Sequence, residues 1–550
     1  MRIFSLLGQD DLLRCVFEGC KGWRALRRDP ALWRSVALCS PKFSSAGALA
    51  FVSGPRSPLP SPACVQELKI DGKWAFNGAT LETLLLTFTH ATRIALHSSR
   101  LPPEVLRLLA EPRAVPLERL EVVVDNNAAM EASLQQVIEA SPALTSLSLG
   151  MVVRTLWLYN TIRRATEVRG GATHRLRELS VVKTQYFSGE SGYECGMEAR
   201  ALSRLGPLFG ELATLNVATL LNLDALGPMP WSPFEALRTL RIANLGEGYR
   251  PRTVTSAQLQ QLLGCIVAAA PLLTNLELCR GNERFSLTEL RAGAQLAPLP
   301  SVGVGAGGVF ALQQLQTLKL GYVHVTAADA ADANLPSLRE LQLNDCGAHA
   351  AAVAVTLAAA APVLELLRVI CVPCTELDGT VGPGISALSA LSHDTLRKLS
   401  MSANTAPFPR TARGAAAKKS AEVKASKALA AVVKALAARK ALPALRSLFL
   451  GSGYDQPMPP CFVTSRPWPL LRSLTIYSAT PDSIPACLAA LRAPALTDLT
   501  LPGICSGVTD MKSVIFKPTK GVMAAYEALR LSGQSPMLPP LRKKSAGDGA

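Results

Sequence analysis

Few residue sets in the 550-residue chain are spaced for chemistry. Residues 303–308 read GVGAGG, matching the Gly-x-Gly-x-x-Gly pattern whose backbone cradles a dinucleotide pyrophosphate. That chemistry needs a strand before the glycines, a helix after them and an acid further on. Here APLPSV precedes the glycines and the strand-like LQTLKL follows within a few residues, so a flexible loop is expected. Cys371 and Cys374 form a single Cys-x-x-Cys with no second pair, which is half a zinc site. The six histidines, at 90, 97, 174, 324, 349 and 393, are scattered, and none belongs to a His-Glu-x-x-His helix. Neither a phosphate-binding P-loop nor a Gly-x-Ser-x-Gly nucleophile turn occurs. No catalytic residue, metal ligand or cofactor is therefore expected, and the chain reads as a non-enzyme.

Composition bounds the rest. Hydrophobic residues make up 49% and aromatics only 5%, so the apolar content is mostly Ala, Leu and Val, enough for a sizeable core. Lys and Arg total 57 against 41 Asp and Glu, a net charge of +16. The opening MRIFSLLGQDDLL has too short an apolar run for a secretory signal, and 350–364 is too short to span a bilayer. Thirteen scattered cysteines and no Asn-x-Ser/Thr sequon fit a reduced compartment. A cytoplasmic and/or nuclear protein without a membrane partner is expected.

One pattern dominates: Leu-x-x-Leu-x-(Leu/Ile/Val/Met). Thirteen clear copies run from Leu117 (LERLEV) to Leu496 (LTDLTL), with weaker ones at 65 (VQELKI), 81 (LETLLL) and 91 (ATRIAL). Strand periodicity is two, so the last two apolar residues of each copy share one face and the residue between them points the other way. One such strand cannot bury its face alone, and copies must stack. Between copies, 133–144, 257–273 and 354–367 carry apolar residues at helical spacing, followed by a Pro before the next strand. The expected fold is an α/β solenoid. It resembles the leucine-rich-repeat family over 65–505, and the resemblance implies a horseshoe. Cys346, ninth in LRELQLNDC, matches the cysteine-containing subtype.

Residues 6–38 carry a Leu-Leu pair after an Asp, then Cys20-Lys21-x-Trp23-Arg24-x-Leu26, then Asp29-Pro30-x-Leu32-Trp33. This stretch resembles the F-box, the helical module that docks substrate receptors onto the Skp-family adaptor of Skp–cullin–F-box ubiquitin ligases. The F-box of that family opens with a Leu-Pro segment and a first helix, which Met1 cuts off here. By position, the resemblance implies adaptor contacts at Leu12, Leu13, Val16, Trp23, Leu26, Leu32 and Trp33. The expected organisation is then an F-box-like module at 1–40, a Pro-rich linker at 41–64, the solenoid at 65–505, and a C-terminal cap with a disordered tail at 506–550, the tail being 535–550.

Half of the net charge lies in 410–441, where Leu429, Val432, Val433 and Leu436 keep helical spacing; an oversized repeat helix with a basic solvated face is expected. No aromatic residue interleaves those charges, so nothing there could stack on bases and no nucleic-acid partner is expected. Parity places one residue of each repeat on the solvent side of the strands. The most charged stretch of that row, Arg241, Glu277, Lys319, Gln342 and Arg368, is the expected surface for an unidentified target protein. The whole then implies a substrate-recognition subunit reaching a cullin through the adaptor. A repeat scaffold without adaptor binding is the alternative, and an RNA-associated protein using 410–441 a lesser one.

Overall fold

The computed structural model describes most of residues 29–538. Outside the description lie residues 1–28, 182–196, 246–254, 280–308, 374–383, 405–426, 457–467, 480–487, 506–519 and 539–550, with shorter stretches in other loops. The chain divides into two units, 1–252 with 268–272 and 253–267 with 273–550.

In the first unit Met197–Glu198 and Leu220–Leu221 pair apart from the ladder strands, which are β1 (Ser35–Cys39), β2 (Glu67–Asp71), β3 (Arg93–His97), β4 (Arg119–Val123), β5 (Ser146–Gly150), β6 (Glu178–Val181), β7 (Thr214–Val217) and β8 (Thr239–Ile242). Each pairs parallel with the next at matching motif positions, so Val36 faces Leu68, Leu120 faces Leu147 and Leu215 faces Leu240. The second unit repeats the plan. Its parallel strands are β9 (Asn275–Cys279), β10 (Thr317–Gly321), β11 (Glu340–Asn344), β12 (Leu366–Pro373), β13 (Lys398–Asn404), β14 (Ser447–Gln456), β15 (Ser473–Ala479) and β16 (Asp498–Leu501). A two-residue β17 (Ile504–Cys505) closes the series antiparallel to β16.

Two features hold the register. Beneath the strands, the apolar positions of the copies are buried wherever their side chains are described; Leu338, Leu341 and Leu343 have no exposed surface. At the strand entry, one carbonyl accepts two amides of the following repeat. Arg446 O takes the N–H of Arg472 at 2.8 Å and of Ser473 at 3.0 Å, and Thr92 O those of Glu118 at 2.8 Å and Arg119 at 3.1 Å. A fourth buried position, three residues before the first Leu, is filled by Phe209, Phe234, Leu335, Leu442 and Trp468. His393 takes this slot in its repeat. Its Nε2 lies 2.9 Å from Ala361 O, a group that only accepts, so Nε2 carries the proton.

The expected helices form at Ala128–Ala140, Ser256–Ala269 and Ala350–Ala359. The second opens with a reciprocal cap: Gln258 N–H donates to Thr255 Oγ1 at 3.2 Å and Thr255 N–H to Gln258 Oε1 at 2.7 Å. The helical part of the basic segment covers 427–438, with Leu429, Val432, Val433 and Leu436 buried and Lys427 and Lys434 exposed. At the far end, Lys520–Leu531 buries Tyr526 and Leu529. Among the described residues, no helix is long and apolar enough to cross a membrane.

Four expectations need correction. LETLLL is not a strand: it lies in the helix Gly78–Thr87, capped by Asn77 Oδ1 on the Thr80 N–H at 2.8 Å. Leu81, Leu84 and Leu85 bury one helical face there and leave Leu86 half exposed. The array starts earlier than 65, because WRSVAL is itself a copy with Trp33 in the first apolar slot. Trp33 is fully buried, and its ring meets that of Phe51 edge-on at 5.9 Å. The 41–64 stretch is no mere linker, since it holds the helix Ser45–Ser53, capped by Ser44. Ser535 and Leu538 do not belong to a disordered tail: both are buried, and Ser535 Oγ donates to Ala493 O at 2.9 Å.

Cys346 sits inside, donating its thiol to Leu320 O at 3.4 Å; burial pushes its pKa far up, which makes it a structural thiol. It follows Asp345, whose φ of 53° bends the chain inward after β11. One strand back, Gly321 makes room for Cys279: a Cβ there would collide with the Cys279 sulfur.

Leu341→Ala should cost about 2–5 kcal/mol in urea unfolding, while Gln342→Ala, one residue along on the solvent side, should stay within about 0.5 kcal/mol. Gly321→Ala should cost about 1–3 kcal/mol, and adding Cys279→Ala should recover part of it in the same measurement.

Candidate recognition face

The side chains between buried positions form a polar face on each unit. In the first unit its residues are largely paired with one another. His97 Nε2 and Glu121 Oε1 are 2.8 Å apart across β3 and β4. That hydrogen bond holds the Glu121 carboxyl below the usual glutamate range, and Arg119 and Lys69 add to the effect against the opposing cost of burial. Further along, Ser146 Oγ donates to Glu178 at 3.0 Å and Asn216 Nδ2 to Ser180 Oγ at 3.0 Å. Arg241 stands exposed on β8.

In the second unit Glu277, Lys319, Gln342 and Arg368 occupy one row on β9 to β12, each opposite the next. Lys319 Nζ pairs with Glu340 Oε1 at 3.1 Å, and Gln342 donates to the same oxygen. Beside this row, Glu365 joins Arg339 at 2.6 Å and Arg397 at 3.5 Å. The expected target row of this unit is therefore brought together, though much of its charge is already neutralised within the sheet. Arg241 belongs to the first unit.

The residues assigned to the adaptor fare differently. Leu32 and Trp33 are buried in the first repeat and present no contact surface. Leu12, Leu13, Val16, Trp23 and Leu26 lie outside the described residues, as do the glycines of 303–308. Cys371 lies in β12. Among the described residues, no three His, Cys, Asp or Glu side chains are grouped so as to hold a metal ion. What sequence reasoning missed is the motif in WRSVAL and the run of exposed arginines in one slot of the last repeats. The first was hidden by Trp in a Leu slot, the second by the row chosen.

No family model matches the chain, and no curated protein matches its sequence. Among solved structures, the complex of Rad7 and Elc1 in yeast shows a likeness covering 74% of this chain and 86% of that one, at 16% identity and a TM-score of 0.34. So slight a likeness carries no argument, and the solenoid assignment rests on the strand register itself.

The Glu121 carboxyl titrates lower folded than unfolded. Its stabilisation is thus present above the ordinary glutamate value of about 4.3, and is lost as pH falls through the lower folded value. Glu121→Gln should flatten the dependence of unfolding free energy on pH below about 4.3, as urea titrations at pH 3 to 7 would read out.

Proposed function

We propose that this chain is the substrate-recognition subunit of a Skp–cullin–F-box-type ubiquitin ligase, working in the cytoplasm and/or nucleus. Its first residues take the adaptor, and the strand face of its repeats takes a target protein. Such a subunit performs no bond chemistry; it raises the local concentration of a target lysine beside the conjugating enzyme. The observation that supports this best is the pairing of a long polar strand face with the F-box resemblance immediately ahead of it. The face is built like an interaction surface, with rigid strands presenting mixed polar groups.

One observation favours the alternative of a scaffold without adaptor binding. Leu32 and Trp33, two of the seven residues the resemblance assigns to the adaptor, are buried in the first repeat. The proposal therefore places the adaptor contact on Leu12, Leu13, Val16, Trp23 and Leu26.

The test is co-purification of the full chain with a Skp-family adaptor, beside a Leu13→Glu/Trp23→Ala version. Retention by the native chain, lost in the double variant with its melting temperature unchanged, is the expected result. A folded native chain that retains no adaptor would overturn the ligase reading in favour of the scaffold. Trp33→Ala should instead lower stability by about 3–5 kcal/mol, the cost of emptying a core aromatic site.

A further inference from the structure

The polar groups left over in the second unit gather on its last repeats. Arg397, Arg446 and Arg472 occupy the same motif slot on successive repeats, linked by their own backbone hydrogen bonds. All three are exposed, as is Lys398. Arg397 reaches Glu365 at 3.5 Å, but Glu365 is already held by Arg339 at 2.6 Å. Among the described residues, Lys398, Arg446 and Arg472 meet no carboxylate. Successive strands lie about 4.8 Å apart, so like charges stand side by side at a distance that is unfavourable in the free protein.

Next to the arginines two rows carry hydroxyls, Ser447–Ser473 in one and Ser400, Thr475 and Thr500 in the next. Ser400, Ser447, Ser473, Thr475 and Thr500 point to the solvent side of β13 to β16, half-buried. No hydrogen bond among the described residues engages them, unlike Ser146 and Ser180 of the first unit. In their midst stands Phe449. Its ring lies over Gly451, where a Cβ would meet the ring at 3.2 Å and Ser402 Oγ at 3.0 Å. The glycine thus keeps the aromatic down on the sheet. Asp498 bounds the patch beyond Ser473.

From this arrangement we infer that the last repeats of the second unit dock an acidic peptide segment of the target protein, rich in Asp and Glu around one apolar residue. The cations form a line, not a convergent cup, which suits a series of carboxylates along an extended chain better than a single phosphate. Arginine forks bind carboxylates directly, free hydroxyls meet backbone or carboxylate oxygens, and Phe449 offers a seat for the apolar side chain. One aromatic is too few to stack a run of bases. The inference rests on the reading of the chain as a recognition subunit, and moves target binding from Arg241–Arg368 to Arg397–Thr500.

The test is fluorescence anisotropy of the full chain with a labelled Glu/Asp peptide carrying a central Leu. The same peptide with Gln and Asn in place of the acids, a phosphoserine peptide and a single-stranded oligonucleotide of equal charge are the other probes. The acidic peptide should bind best and weaken with added salt. Arg446→Glu/Arg472→Glu should weaken it by about tenfold or more, and Phe449→Ala should weaken it too. Arg177→Glu, in the same slot of the first unit, should leave it unchanged. Equal binding of the neutral peptide, or no loss on charge reversal with melting temperatures preserved, would overturn the inference. Tighter binding of the phosphopeptide or oligonucleotide through the same arginines would also overturn it, reassigning the patch. Adaptor co-purification depends on Leu13 and Trp23, so its failure and the failure of this docking site are told apart.

Discussion

Everything in this fold depends on one carbonyl per repeat. It belongs to the residue after the first apolar position, and it accepts two amides from the next repeat, as Arg446 O does from Arg472 and Ser473. Buried backbone groups must find partners, and here the partner is always supplied by the neighbouring copy. A slip by one residue would break both bonds and turn the Leu triad out to solvent. Hydrogen bonding and apolar burial therefore specify the same register, which is why repeats separated by very different lengths of chain still align Leu on Leu.

That strict register also determines the surface. Because equivalent positions line up across strands, a residue type repeated in one motif slot becomes a column on the face. Where the slot alternates in sign, the column neutralises itself, as Arg339–Glu365–Arg397 does. Where the slot repeats Arg, the column accumulates charge, and the last repeats of the second unit do this beside hydroxyls that no side chain among the described residues engages. The fold tolerates such a column because the core supplies the stability and exposed like charges in water cost little. A partner of opposite charge gains what the isolated protein lacks.

Much of this was legible in the sequence. The Leu triads predict the strands, and parity correctly puts Glu277, Lys319, Gln342 and Arg368 in one row, because period-two alternation is a local property. Other features are not local. LETLLL satisfies the repeat pattern yet is a helix, since Leu81, Leu84 and Leu85 also fit helical spacing and Asn77 caps it. Trp33 was claimed by an F-box resemblance although it equally fills the first slot of WRSVAL; only pairing with β2 decides between the two. Which charges pair across strands could not be read either, because Lys319–Glu340 and Arg339–Glu365 depend on side-chain geometry between residues distant in sequence.

The repeat array extends back to Trp33, so that the strand Ser35–Cys39 belongs to the same hydrogen-bonded ladder as Glu67–Asp71. Hydrogen–deuterium exchange of the native full chain tests it directly. The amides of Ser35–Cys39 should be protected to within the range of those in Glu67–Asp71 and should lose protection together with them in Trp33→Ala. Rapid exchange of Ser35–Cys39 beside a protected Glu67–Asp71 would contradict the account and return Trp33 to a separate N-terminal module.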